Sequence, residues 1–196
     1  MSFEAALSTA LAEANAAAGP EEALRALTRL AHDRLGDHAA ASRPGMLKPG
    51  ERDYRVAGCF MITPDRRYNM LIANVGFPAE QARLSIPIGW NHPGKVVETQ
   101  APLLLRNIDE HPEFRQFLKT SRMGSSLYAP MIIDGVMHGQ IVAAAQARTT
   151  YDAADLERLV LLGHAAAAVY VAKGGPAWLS ADYPPANQWR AEERSV

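Results

Sequence analysis

The sequence predicts a mixed α/β domain of the α+β type, a central antiparallel sheet of five to six strands flanked by helices. Three observations predict it. Two pairs of apolar runs are each joined by turn residues, as hairpins are. A single apolar strand lies between the pairs. Helical stripes lie on either side of this strand-rich middle.

The elements follow in chain order. Phe3, Leu7, Ala10 and Leu11 fall at helical spacing, so residues 3–18 form a first helix that Gly19-Pro20 ends. Leu24, Leu27, Ala31 and Leu35 make the stripe of a second helix over residues 21–35, with Glu21 and Glu22 in its first turn and Gly36 at its end. Residues 37–52 are polar, small and rich in turn formers, and read as an extended loop. The period then changes. Residues 54–63 and 68–75 read as two strands around the turn Pro64-Asp65-Arg66-Arg67. Residues 77–89 are irregular, with a short extended piece at 84–88.

Pro93 suits the first position of a short helix over 93–99, where its missing N–H is not needed. Residues 102–108 (PLLLRNI) read as a strand. Asp109 to Pro112 opens another helix running to about Thr120. Residues 125–133 and 136–146 are strands joined by Asp134-Gly135, a strong short-range hairpin signal. Thr150-Tyr151-Asp152 opens the last helix, whose stripe is Leu156, Leu159, Val160, Ala167, Tyr170 and Val171, and Gly174-Gly175-Pro176 stops it. The remaining tail carries Trp178, Tyr183 and Trp189 without any period; it reads as disordered or as an arm packed on another surface. The organisation is thus a helix over 1–20, a domain over 21–173 and a tail over 174–196.

Composition narrows the functional classes. The chain has 196 residues, 48% of them hydrophobic and 21% charged, with a net charge of −1. No basic excess is available for a phosphate backbone, so nucleic acid is not an expected partner. No apolar run is long enough for a bilayer, and Met1-Ser2-Phe3-Glu4 does not resemble a secretory signal, so the expected location is the cytoplasm. Cys59 is the one cysteine, which rules out an internal disulfide and a multi-cysteine zinc site.

Three segments carry a family resemblance. They are Gly89-Trp90-Asn91-His92-Pro93-Gly94-Lys95-Val96-Val97-Glu98-Thr99 with the strand after it, Ser126-Leu127-Tyr128-Ala129-Pro130-Met131-Ile132 with Asp134-Gly135-Val136-Met137-His138-Gly139, and Tyr151 to Leu159. In this order and spacing the chain resembles the GAF family over about residues 21–173. The resemblance implies a GAF/PAS-like sheet with the terminal helices on one face and a pocket, covered by short helices and loops, on the other. It implies ligands ranging from cyclic nucleotides and tetrapyrroles to haem, small anions and oxo-acids, or none. The Asn-Lys…Phe…Asp-Glu signature of cyclic-nucleotide binders is missing here. So are the bilin-attachment cysteine near residues 112–120 and the several pocket cysteines of the methionine-sulfoxide reductases of this fold. The cofactor is therefore left unknown.

The stretch Asn91 to Lys95 is the most suggestive for binding. A helix start offers backbone N–H groups and a positive dipole end, and Lys95 adds a cation. Trp90 could wall a pocket, and Gly94 lies within the turn. The competing reading has Asn91 or His92 capping the helix and Lys95 solvated. Asn74, Arg106, Asp109, Phe114 and Tyr128 complete the candidate ligand-binding set, with Phe114 and Tyr128 equally suited to a core. The histidines at 32, 38, 92, 111, 138 and 164 show no HxxxH or HExxH spacing, so no metal is expected. Cys59 sits on an apolar strand, where a free thiol is usually inert.

The expectation is therefore a sensory or regulatory domain that binds a small, anionic or carboxylate-bearing molecule and acts on a separate signalling protein. The alternatives are an enzyme on the same scaffold using Cys59 or a histidine, with redox or haem-type chemistry, and a ligand-free dimerisation domain. A homodimer is expected, because alanines at 6, 10, 14 and 17 and at 165–168 leave more small-residue helix surface than one sheet face can cover.

Overall fold

A computed structural model describes residues 2–111 and 122–191. The element order is α1 (Phe3–Ala16), α2 (Pro20–Arg34), β1 (Arg55–Ile62), β2 (Tyr68–Val75), β3 (Leu84–Pro87), α3 (Asn91–Thr99), β4 (Leu103–Leu105), β5 (Ser125–Ile133), β6 (Val136–Ala145), α4 (Ala153–Ala172), α5 (Gly175–Ala181) and β7 (Trp189–Arg190). Short 3-10 turns stand at Ala40–Ser42, Ala79–Gln81 and Ile108–Glu110. The sheet has seven strands in the order β4-β5-β6-β1-β2-β3-β7. This corrects the expected five to six. The added strand is β7, two residues of a tail with no readable period, which pairs parallel with β3 through Leu84–Trp189 and Ser85–Arg190. All the other strand pairs are antiparallel.

Local chemistry explains most boundaries. Asp134 and Gly135 both have positive φ, 51° and 73°, as the tight turn between β5 and β6 requires. Asp152 caps α4 by accepting from the Asp155 N–H, and the Asp155 carboxylate accepts in return from the Asp152 N–H. Gly174 at φ 69° ends α4 and α5 begins at once, so the Gly-Gly-Pro stop is a bend rather than the end of helical structure.

One sheet face packs on α2 and α4. Leu24, Leu27, Ala31 and Leu35 of the α2 stripe are fully buried there with Cys59, Met61, Leu127, Met131, Ile141, Leu159 and Leu162. Each such leucine contributes about 1.5–3 kcal/mol over leaving it exposed. The alanine row of α1 also points inward: Ala6, Ala10 and Ala14 are 8%, 6% and 0% exposed. That corrects the expectation of spare alanine surface on α1. The exposed apolar stripe lies instead on α4, where Leu161 and Val171 are 47% and 37% exposed. Among the described residues no single helix is long and apolar enough to cross a membrane.

The opposite face holds a second cluster of Phe60, Leu71, Leu84, Ile86 and Val142, with Phe77 and Tyr128 packed against it. The helix α3 lies over one side of this face, where Val96 is buried with Ile62 and Met137.

Candidate functional site

The strand register lays out the floor beneath α3. Leu105, Ser126, Ala144 and Val56 stand side by side in one row. Leu103, Tyr128, Val142, Gly58 and Asn74 form the next, and Pro130, Gln140, Phe60 and Leu71 the one after. Alternation along each strand sends these residues to the α3 side. The floor is thus apolar with a few polar groups set into it, the composition of a small-molecule site.

Gln140 is its centre. The residue is fully buried, and its Nε2 donates to Asn69 Oδ1 at 3.2 Å and to the Pro93 carbonyl at 3.1 Å. Because a main-chain carbonyl can only accept, the amide orientation is fixed. Its Oε1 is buried and has no hydrogen-bond partner among the described residues. Beside it, Tyr128 is half-buried, and burial raises its phenol above the ordinary value, with the Ser126 hydroxyl opposing the rise. The phenol is a neutral O–H donor at physiological pH.

The helix α3 begins two residues before Pro93, which is its third residue and not its first. Trp90 is the N-cap and makes no side-chain capping bond. This overturns the reading in which Asn91 or His92 occupies the cap. Asn91 has φ 50°, so the chain turns sharply into the helix. Gly94 permits the close approach behind that turn, since a Cβ there would stand 2.4 Å from the Gly89 carbonyl carbon. His92 is 3% exposed; its ring lies 6.4 Å from the Tyr128 ring and meets the His111 ring edge-on at 5.8 Å. Lys95 is exposed on the outer side of the turn, and Trp90 is 37% exposed at its entrance.

Five of the sequence candidates, Trp90, Asn91, His92, Gly94 and Lys95, therefore gather at the start of α3, with Tyr128 alongside His92. Asn74 shares the Tyr128 row but stands three strands away, roughly 14 Å at 4.8 Å per strand. Arg106 is exposed, and its carbonyl accepts from the Thr149 N–H. Asp109 pairs with Lys48, Arg122 and Arg148. Burial works to raise its carboxyl, but hydrogen bonds from Lys48 and Arg148 outweigh it and hold the group at about 2. Phe114, and the helix expected over residues 112–120, lie outside the described residues. Gln140, Asn69 and Ser126 were not singled out by sequence reading. The available signal was the one amide side chain in a mostly apolar strand, Gln140 in VMHGQIVAAA.

Cys59 faces the other way, into the helix side of the sheet, 3.4 Å from Thr28 Oγ1. Burial pushes its thiol up to about 12. Among the described residues no group of three His, Cys, Asp or Glu side chains is arranged to hold a metal ion.

A family model for the GAF domain matches residues 17–169. The chain belongs to the GAF domain family. Solved structures agree on the fold. The GAF domain of an Acinetobacter phosphoenolpyruvate-protein phosphotransferase superposes with a TM-score of 0.68 at 16% identity, covering 88% of this chain and 95% of that one. The corresponding GAF domain from Coxiella burnetii gives 0.66 at 21% identity, covering 88% and 96%. Free methionine-R-sulfoxide reductase from Neisseria meningitidis, solved with its substrate, gives 0.66 at 15%, covering 88% and 90%. At such identities the likeness is one of fold. No curated protein matches this GAF domain in sequence. The face carrying Gln140 and Tyr128 is the one that the family resemblance assigns to ligands.

Proposed function

We propose that this GAF domain binds a small molecule on the α3 face of its sheet and reports it to a separate partner protein in the cytoplasm. The observation that carries the proposal is Gln140 Oε1, a fully buried acceptor with no partner among the described residues, beneath the first turn of α3. Leaving such an acceptor unmet costs about 1–3 kcal/mol, so a ligand that donates to it recovers that cost. The start of α3 favours an anionic end on the same molecule, and Lys95 adds positive potential from the solvent side of the turn. A small acid that also carries an N–H or O–H group satisfies both features. Tyr128 supplies a further donor, and Phe60, Leu71 and Val142 supply apolar contact.

Catalysis by Cys59 has no support in this arrangement, because its sulfur is buried on the opposite face. The outward apolar stripe of α4 supports a two-fold pairing of helices and offers a path from the sheet to a partner.

The test is native mass spectrometry of the purified full chain, followed by a structure of whatever acid co-purifies. A ligand contacting Gln140 and the start of α3, and weakened about tenfold by Gln140→Leu, bears out the proposal. An acid seated elsewhere, or one bound equally by the variant, overturns it.

A further inference from the structure

On the helix side, at the end of the sheet where both hairpins turn, a second cleft of about 200 Å³ opens between the Thr63–Arg66 turn, the start of β6 and the bend joining α4 to α5. Its apolar lining includes Val136, Pro176 and Leu179, and its polar groups include Arg66, His138 and Tyr170. Three departures from ordinary geometry meet there.

The first is a β-bulge. Met131 pairs with Gly139 and Ile132 with Met137, so His138 is an extra residue in β6. Bulges re-aim side chains, and this one puts the His138 ring 5.8 Å from that of Tyr170. The second is Arg66, whose φ is 56°, a backbone region where glycine or asparagine is usual. Its guanidinium has no ion pair or hydrogen bond among the described residues. The third is Tyr170. It is 2% exposed, its ring is packed on the Gly175 backbone, and its hydroxyl has no hydrogen-bond partner among the described residues. A buried phenol normally finds one. Burial raises this phenol and lowers the His138 imidazole, so both are neutral donors at pH 7.

We propose that this cleft is a second ligand site, separate from the α3 face, and that it takes a small monocarboxylate with an aryl or branched-alkyl body. The Arg66 fork matches a carboxylate in two-pronged geometry, and Tyr170 and His138 donate to its oxygens. The apolar body lies against Val136, Pro176 and Leu179. Among the described residues no acid lines the cleft, and the neighbouring Asp65 is held by Thr63, the Arg67 N–H and Tyr183. One cation without a resident counter-charge specifies a single negative charge. Because α5 forms one wall, the bound acid braces α5 against the hairpin turns.

The experiment is a titration of the full chain with benzoate, followed through backbone amide shifts. The expected result is saturable movement at Arg66, His138 and Ser180 in the millimolar range. Arg66→Gly, which suits the left-handed backbone and so keeps the fold, should weaken binding about tenfold, and Tyr170→Phe should weaken it several-fold. Gln140→Leu should leave this binding unchanged, which separates the cleft from the α3 face. Benzylammonium should not bind. Absence of saturable shifts, shifts confined to α3 and Tyr128, or undiminished binding by Arg66→Gly overturns the proposal.

Discussion

The Gln140 side-chain amide donates to the Pro93 carbonyl at 3.1 Å, joining the middle of the sheet to the first turn of α3. The same nitrogen satisfies Asn69 Oδ1. Gln140→Leu therefore strips two acceptors of their donor while filling similar space. Each stranded acceptor costs about 1–3 kcal/mol and removing the unmet Oε1 offsets one such cost, so the net loss should be about 1–3 kcal/mol, read as a lower urea midpoint with an unchanged slope. An unchanged midpoint would mean that the two donated bonds contribute no more than the unmet oxygen costs.

Arg148 makes a comparable tie at the far end of β6. It is 4% exposed and pairs with Glu51 and Asp109, fastening the 46–51 loop and the Ile108–Glu110 turn to one strand end. Arg148→Ala leaves the buried Glu51 carboxylate without its charge partner and should cost about 3–5 kcal/mol in thermal or urea unfolding.

Asp109 gives that tie a pH signature. Its folded carboxyl, held at about 2, lies below the unfolded value of about 3.9. A depressed carboxyl contributes stability above the unfolded value and loses it as pH falls through the folded one. Stability should therefore decline between about pH 4 and pH 2, and Asp109→Asn should flatten that decline. A variant with the same acid limb as wild type would remove Asp109 from the account.

Cys59 should be silent in the native state. A thiol at 0% exposure, raised to about 12, should not react with a disulfide reagent at pH 8 until urea unfolds the chain. Free methionine sulfoxide should not be reduced with thiol reductants, since no second cysteine is present to resolve a sulfenic acid. Turnover abolished by Cys59→Ser would contradict this.

Association should run through α4. Leu161, His164, Ala168 and Val171 are exposed and spaced along one outward face. Sedimentation at micromolar concentration should give a dimer, and Leu161→Glu with Val171→Glu should give a monomer near 21.3 kDa. A wild-type monomer would end the idea.

Much of this architecture is written locally in the chain. The α2 stripe, the Asp134-Gly135 turn and the Asp152 cap each depend on residues within one or two turns of one another, and each is readable. What sequence missed depends on distant partners. Glu51 and Arg148 are 97 positions apart, and Gln140 reaches Asn69 across 71. Trp189 joins β3 by backbone pairing and by packing on the Leu84 cluster, in a strand of two residues that is too short to show a period. The start of α3 was misplaced because Pro93 tolerates the first position without requiring it. The chain turns in earlier, at Asn91, through a positive φ that propensity does not signal.

The parallel pairing of Trp189 and Arg190 with β3 bears on colloidal behaviour. An outer strand of a sheet is a template on which another molecule can add its own backbone. Here the protein's own chain occupies part of that template, over Leu84 and Ser85, with two residues and a pair of guanidiniums, Arg67 and Arg190, set against the Tyr68 ring. Cutting the chain before Trp189 would uncover backbone groups of Leu84 and Ser85 next to an apolar cluster, and concentrated solutions of that shorter protein would be prone to fibrous or amorphous aggregation.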